Sequence, residues 1–314
     1  MTPRFHGLLV APLRDERAVN LAHGHDPLDV YLRCAALCWR SFRYGGYEWE
    51  LVTDDRDRLL RRCAALGIAG LPIREEVFAW EVPGDLRFRS AHYKLELLTK
   101  FGSGDYGDYP ALVDLDAVCL GSLPPGICSE DALVGYDLTP VAAAGATAAE
   151  VAASLAVLSG RDCSAEWWGG EFIMGPAGRF AELAEHIAIF WPRYLEASSA
   201  MVHVGDEMVL TAALQVFRGD GGTVEDGARL RAIARYWSAR TTQAFPPFRE
   251  VEACAILHLP ADKPFLADYP ADAFNPEGFV RSYRRYLRGR IVPRRVAALV
   301  ARFLGGERGH APRL

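Results

Sequence analysis

The sequence predicts an α/β chain with a mostly parallel central sheet flanked by helices and a basic helical appendage at the C-terminus. Three observations carry this. Apolar runs of strand length alternate with helix-period segments from Phe5 to Val113, joined by short connections. Half of the 314 residues are hydrophobic and 24% are charged, a balance that supplies a large core and excludes disordered and fibrous classes. The net charge of −5 hides an asymmetry: ten arginines and one glutamate lie from Arg281 to the end, so this stretch carries +9 and residues 1–280 carry −14. A basic tail on an acidic body speaks against a general nucleic-acid binder.

Phe5–Ala11 reads as a first buried strand, followed by a loop from Pro12 to Asp29. A helix then places Val30, Ala35, Leu37 and Cys38 inward and stops near Tyr44-Gly45-Gly46. Trp49–Thr53 is a second strand closed by Asp54-Asp55, and a helix from Arg56 to Leu66 ends at Gly67, a residue that stops helices without steric cost. Strand, helix, strand, helix is the Rossmann-like pattern. Ser90–Phe101 is a further helix, and after a Gly/Asp/Tyr loop comes the apolar strand Ala111-Leu112-Val113. Beyond Leu120 the alternation loosens. Thr139–Gly160 is Ala-rich and helical, Trp167–Gly175 is an aromatic segment punctuated by glycine, and Phe180–Leu195 and Asp206–Phe217 are helical. Cys254–Leu257 is one more strand, and Phe279–Phe303 is a basic amphipathic helix or pair of helices.

No apolar run reaches the roughly 18–20 residues a membrane-crossing helix needs, and the N-terminus lacks the pattern of a secretory signal. The seven cysteines (34, 38, 63, 119, 128, 163, 254) are odd in number and contain no Cys-x-x-Cys pair, which fits reduced thiols and a cytoplasmic setting. The arginine-rich tail also suits peripheral contact with anionic lipid, or simple packing on the body.

The sharpest local feature is Ala111-Leu112-Val113-Asp114-Leu115-Asp116. On an extended chain Asp114 and Asp116 point the same way, and two adjacent carboxylates at the carboxyl end of a strand suit an oxygen-loving divalent ion, Mg²⁺ or Mn²⁺. A solvated acidic turn is the plain alternative.

Val113-Asp114-Leu115-Asp116 followed by Gly121-Ser122-Leu123-Pro124 resembles the Asp-x-Asp segment of GT-A-fold glycosyltransferases, above all family 8, the glycogenin and bacterial galactosyltransferase group. Further pieces follow in the family's order. His92-Tyr93-Lys94-Leu95 is similar to the helix start whose lysine approaches the donor. Trp168-Gly169-Gly170-Glu171-Phe172 resembles the Asn-(Ser/Ala)-Gly strand near the donor sugar, with Gly169 in place of Asn. Gly205-Asp206-Glu207 resembles an Asp-Gln helix start beside the reacting carbon, with Glu207 in place of Gln. Ile256-Leu257-His258 with Lys263-Pro264-Phe265 resembles a late His…Lys-Pro-Trp motif, one residue short and without its glycine.

The resemblance spans roughly residues 5–266. It implies a GT-A catalytic domain over 1–278 (a nucleotide-binding half, 1–120, and an acceptor half, 121–278) with a basic tail over 279–314. It also implies transfer from a nucleotide-sugar, preferentially a uridine one, with retention of configuration. Asp114, Asp116 and His258 would hold the metal. Ala11, Pro12, Lys94, Leu115 and Lys263 would join the two aspartates against the donor. Asp206 and Glu207, then Glu171, are the candidates for the face of the sugar where positive charge develops. The acceptor stays open among glycans, lipid-linked sugars and small molecules. Asp206-Glu207 also fits a plain helix N-terminus, where acidic residues complement the dipole, and Trp167 and Trp168 fit core packing as well as a sugar ring. Glu171, among Trp, Gly and Phe, would be costly to bury idle.

Two other classes compete. Asp114-Leu115-Asp116-Ala117-Val118 satisfies the Asp-x-Asp-x-(Thr/Val) pattern of haloacid dehalogenase-type phosphatases, with Asp114 as nucleophile. That motif normally follows a first strand and carries Gly where Ala117 stands, whereas residues 1–113 precede it here. A non-catalytic relative that binds sugar or nucleotide is the third reading.

Overall fold

The computed structural model describes residues 1–10, 26–142, 146–239 and 245–304, with residues 142 and 291–304 described by backbone alone. In chain order the elements are β1 (Arg4–Leu8), α1 (Pro27–Tyr44), β2 (Glu48–Thr53), α2 (Arg56–Leu66), β3 (Ile73–Glu75), α3 (Arg89–Phe101), β4 (Pro110–Val113), β5 (Ala117–Cys119) and β6 (Ala132–Asp137). They continue with α4 (Thr139–Ala142), α5 (Ala148–Ser159), β7 (Trp168–Met174), α6 (Ala177–Ala197), α7 (Asp206–Gly219), β8 (Thr223–Asp226), β9 (Ile233–Arg235), α8 (Phe248–Val251), β10 (Ile256–His258), α9 (Lys263–Asp268) and α10 (Pro276–Leu304).

Among the described residues seven strands form one sheet in the order β3-β2-β1-β4-β7-β6-β8. The pairs β1–β2, β2–β3, β1–β4 and β6–β8 are parallel, while β7 runs antiparallel to both β4 and β6. A second sheet, β5-β10-β9, pairs β10 antiparallel to β5 and parallel to β9. The chain is thus α/β with a large, mostly parallel sheet flanked by helices. It divides into two compact units, Met1–Phe274 and Asn275–Leu314. No described helix is long and apolar enough to cross a membrane.

The core of the first unit follows from helix periodicity. Along α6, Phe180, Leu183, Ile187, Phe190, Trp191 and Tyr194 are buried at three- and four-residue spacing, and α6 packs against α3 and α7. Full burial of each such side chain contributes about 1.5–3 kcal/mol.

Several elements differ from expectation. Helix α1 begins at Pro27, because Asp26 accepts the Leu28 N–H at 2.9 Å and proline sits in the first turn, where its missing donor costs nothing. The expected single helix over Thr139–Gly160 is two. Thr147 and Glu150 form a reciprocal capping box that starts α5 afresh. Trp168–Met174 is a fully buried strand, and the tail helix is continuous from Pro276 to Leu304. Strands β3, β5, β6, β8 and β9, short or Gly-interrupted, had no counterpart in the sequence reading. The strand expected over Phe5–Ala11 is Arg4–Leu8, and Ala11 lies outside the described residues.

Candidate metal centre

Strand β4 ends at Val113, and the next three residues form a turn closed by the Ala117 N–H donating to the Asp114 carbonyl at 3.1 Å. The alternation argument for Asp114 and Asp116 therefore needs correction: they converge because the backbone turns between them, burying Leu115, and not because they lie two apart on a strand. Two pairings then bring the other groups in. The Asp114 N–H donates to the Glu171 carbonyl at 2.9 Å, since β7 runs beside β4 with Val113 opposite Phe172. On the other side β10 pairs with β5, His258 opposite Ala117, and the Leu259 N–H donates to the Asp116 carbonyl at 3.0 Å. In the parallel register of β9 and β10, His258 lies opposite Arg235.

The result is a cluster in which one ligand atom each of Asp114, Asp116 and His258 lies within 4.8 Å of the others. His258 Nε2 is 3.0 Å from Asp116 Oδ1 and 3.7 Å from Asp114 Oδ2. It is buried, yet its alignment gives it no hydrogen-bond partner. An imidazole nitrogen turned toward two carboxylates pairs with them while it holds a proton and can share a divalent cation with them when it does not, and a mixed oxygen and imidazole set is a ligand set for such an ion. The residues fit the ion.

Two lysines brace the aspartates. Lys94 Nζ is 2.5 Å from Asp114 Oδ1, donates to the Gly170 carbonyl at 3.1 Å and lies 3.9 Å from Asp206 Oδ2. Lys263 Nζ is 2.5 Å from Asp116 Oδ2 and donates to the Pro260 carbonyl at 3.2 Å. Pro264 sits in the first turn of α9, a position that tolerates proline. Burial works against ionisation of both ammonium groups, but the adjacent carboxylates overcome it and raise their proton affinities. Burial likewise opposes the Asp116 charge, and Lys263 and His258 hold that carboxyl well below the usual range.

Behind the histidine lies Glu171, its side chain fully buried. His258 Nδ1 is 3.3 Å from Glu171 Oε1, and Arg235 donates its Nε–H to the same oxygen at 2.6 Å. Burial alone would raise the Glu171 carboxyl; Arg235 and His258 bring it down to about 2. The Arg235 guanidinium also reaches Glu207 Oε1 at 3.4 Å, and the Trp167 indole donates to Glu207 Oε2 at 2.8 Å. Trp167 is half-buried here, while Trp168 is a core residue at 4% exposure. Next to Glu207, the Asp206 carboxyl is pushed up to about 7, first by burial, with Lys94 pulling the other way.

The two glycines of Trp168-Gly169-Gly170-Glu171 have a steric reason. A Cβ on Gly169 would overlap Glu171 Oε2, and one on Gly170 would overlap Asp206 Oδ2. They leave the space that the carboxylates occupy.

Asp114, Leu115, Asp116, Lys94 and Lys263 all line one cleft, together with Leu8–Val10, Tyr31 and Ser90. Ala11 and Pro12 lie outside the described residues. A larger cavity, bordered by Asp26 and by Arg58, Arg61 and Arg62 of α2, shares no residue with this cleft; its Arg62 is already paired with Asp29 and Asp26. His92 belongs to the core, accepting from Tyr194 at 2.9 Å and donating to the Phe88 carbonyl at 3.0 Å. Sequence reasoning missed Arg235 and Tyr31. Arg235 ends the run Ala232-Ile233-Ala234, whose apolar character is the one signal that it closes a short strand.

No protein-family model matches the chain, and no curated protein matches it either.

Proposed function

We propose that this chain is a metal-dependent glycosyltransferase of the GT-A kind, moving a sugar from a nucleotide-sugar, preferentially a uridine one, to a hydroxyl acceptor with retention. One observation carries the reading: Asp114, Asp116 and His258, three separated positions of the family-8-like pattern, converge on one point beside a cleft at the carboxyl ends of β1 and β4. The strand order, with one antiparallel strand set into an otherwise parallel run, supports it.

A divalent ion bound by Asp114, Asp116 and His258 would supply Lewis-acid stabilisation of a departing diphosphate. Lys263 and Lys94, each within salt-bridge distance of a ligand carboxylate, are placed to answer the added negative charge of the phosphates. Of the two carboxylates at the start of α7, Glu207, at 17% side-chain exposure and held by Trp167 and Arg235, is our candidate to face a sugar ring; Asp206 beside it, at 9%, sits deeper. In the C-terminal unit, the arginine-rich helix would favour acceptors near an anionic surface.

The test is thermal shift of the full chain across nucleotide-sugars with and without Mn²⁺, followed by donor hydrolysis. Stabilisation by a uridine diphosphate sugar that requires Mn²⁺, and turnover lost in Asp114→Asn, is expected. Full turnover in EDTA, or the same nucleotide response in His258→Ala as in the parent, removes the basis for the reading.

A further inference from the structure

We propose that Glu171, anchored by Arg235, is a positioning residue that fixes the His258 ring with Nε2 turned toward Asp114 and Asp116, and thereby sets the affinity of this centre for a divalent cation. The inference rests on the metal-centre reading and assigns Glu171 to the metal side of the site, away from the sugar.

The geometry carries it. An ionised carboxylate only accepts, so contact with Glu171 Oε1 at 3.3 Å places a proton on His258 Nδ1. That leaves Nε2 as the ring's ligand atom, and Nε2 is the atom that lies 3.0 and 3.7 Å from the two aspartates and lacks a hydrogen bond. Glu171 cannot swing away. Its side chain has no exposed surface, its Oε1 accepts from Arg235 at 2.6 Å, and its backbone carbonyl is held by the Asp114 N–H. Gly169 confirms that the space is reserved, since any side chain there would collide with Glu171 Oε2. Arg235 is fixed in turn by strand register, and its own N–H donates to the Tyr136 hydroxyl at 3.2 Å. Carboxylate–histidine–metal arrays of this kind orient the ring and raise its basicity, and loss of the outer carboxylate typically weakens metal binding about 10–100-fold. A merely structural Glu171, present to neutralise Arg235, would leave metal affinity unchanged.

The experiment is calorimetric titration of the full chain with MnCl₂ alone, comparing the parent protein with Glu171→Gln and His258→Ala, and pulsed electron paramagnetic resonance to detect a histidine nitrogen on the bound Mn²⁺. The expected result is a parent site with one histidine nitrogen, and a Glu171→Gln site that binds about 10–100-fold more weakly with that nitrogen signal reduced. If Glu171→Gln fails to fold with Arg235 left charged, the Glu171→Gln/Arg235→Gln pair removes both charges together and carries the same expectation. Parent-like affinity and nitrogen signal in whichever of these variants folds would overturn the proposal while leaving the metal centre standing. No Mn²⁺ binding by the parent, or undiminished binding by His258→Ala, would overturn both.

Discussion

Asp114 and Asp116 look equivalent as letters, but the structure makes their amide variants unequal in the metal-free protein. The Asp116 side chain is 5% exposed and stands between two cationic groups, Lys263 at 2.5 Å and His258 at 3.0 Å. Asp114 is 25% exposed, and its partner Lys94 keeps the Gly170 carbonyl and Asp206. Removing one member of a buried pair leaves an uncompensated charge and costs about 3–5 kcal/mol, so Asp116→Asn should lower the melting temperature by about 6–10 °C, at roughly 2 °C per kcal/mol for a chain of this size. Asp114→Asn should cost less, about 1–2 kcal/mol, because Lys94 keeps the Gly170 carbonyl and Asp206 when this one partner is lost.

The penalty also has a pH signature. Burial opposes the His258 charge, yet Asp116 and Glu171 raise it to about 9 from an ordinary 6.5. A group whose affinity for protons rises on folding stabilises the fold fully below its unfolded value and loses that contribution as pH climbs through the folded one. On the order of 3 kcal/mol is therefore present below pH 6.5 and gone above about 9. Asp116→Asn forfeits most of it, so the gap to the parent should be widest below pH 6.5 and narrow toward pH 9.5, where the Lys263 share remains. Scanning calorimetry in EDTA at pH 6, 7.5 and 9.5 reads this directly. Equal melting-temperature losses for the two variants, or a gap that widens with pH, would refute the reasoning.

Two further outcomes follow from the neighbouring groups. Asp206 holds its proton to about pH 7, against an ordinary value of 3.8, so the metal-free fold should lose a few kcal/mol between pH 4 and 7, where the carboxyl ionises in the unfolded chain while the folded one stays protonated. Asp206→Asn should lack this slope in urea melts, and superimposable pH curves would sink the assignment. Gly169→Ala should push Glu171 out of place, costing about 1–3 kcal/mol in a calorimetric melt and weakening Mn²⁺ binding. Gly178→Ala, where an added methyl meets nothing within 4 Å, should do neither; a similar loss in both would make the effect at Gly169 one of backbone alone.

Much of the first half was legible because its signals are local. The helix Arg56–Leu66 with its left-handed Gly67 stop, and the strands beside Trp49 and Leu112, rest on periodicity and capping within a dozen residues. The later strands were not. β8 and β9 are four and three residues long, and their identity as strands depends on partners far away in the chain. Propensity misled at Thr139–Gly160, where a capping box at Thr147 begins a separate helix.

For the site, the paired carboxylates Asp114 and Asp116 stood out by residue type and spacing, and the family resemblance added His258, Lys94 and Lys263. What they touch came only with the tertiary structure. That Lys94 leans on Asp114 and Lys263 on Asp116, that Glu171 backs His258, and that Arg235 joins Glu171 to Glu207 are consequences of β7 running antiparallel beside β4 and of β10 lying between β5 and β9. Strand pairing is chosen by burial summed over the whole core, so no local stretch of letters records it.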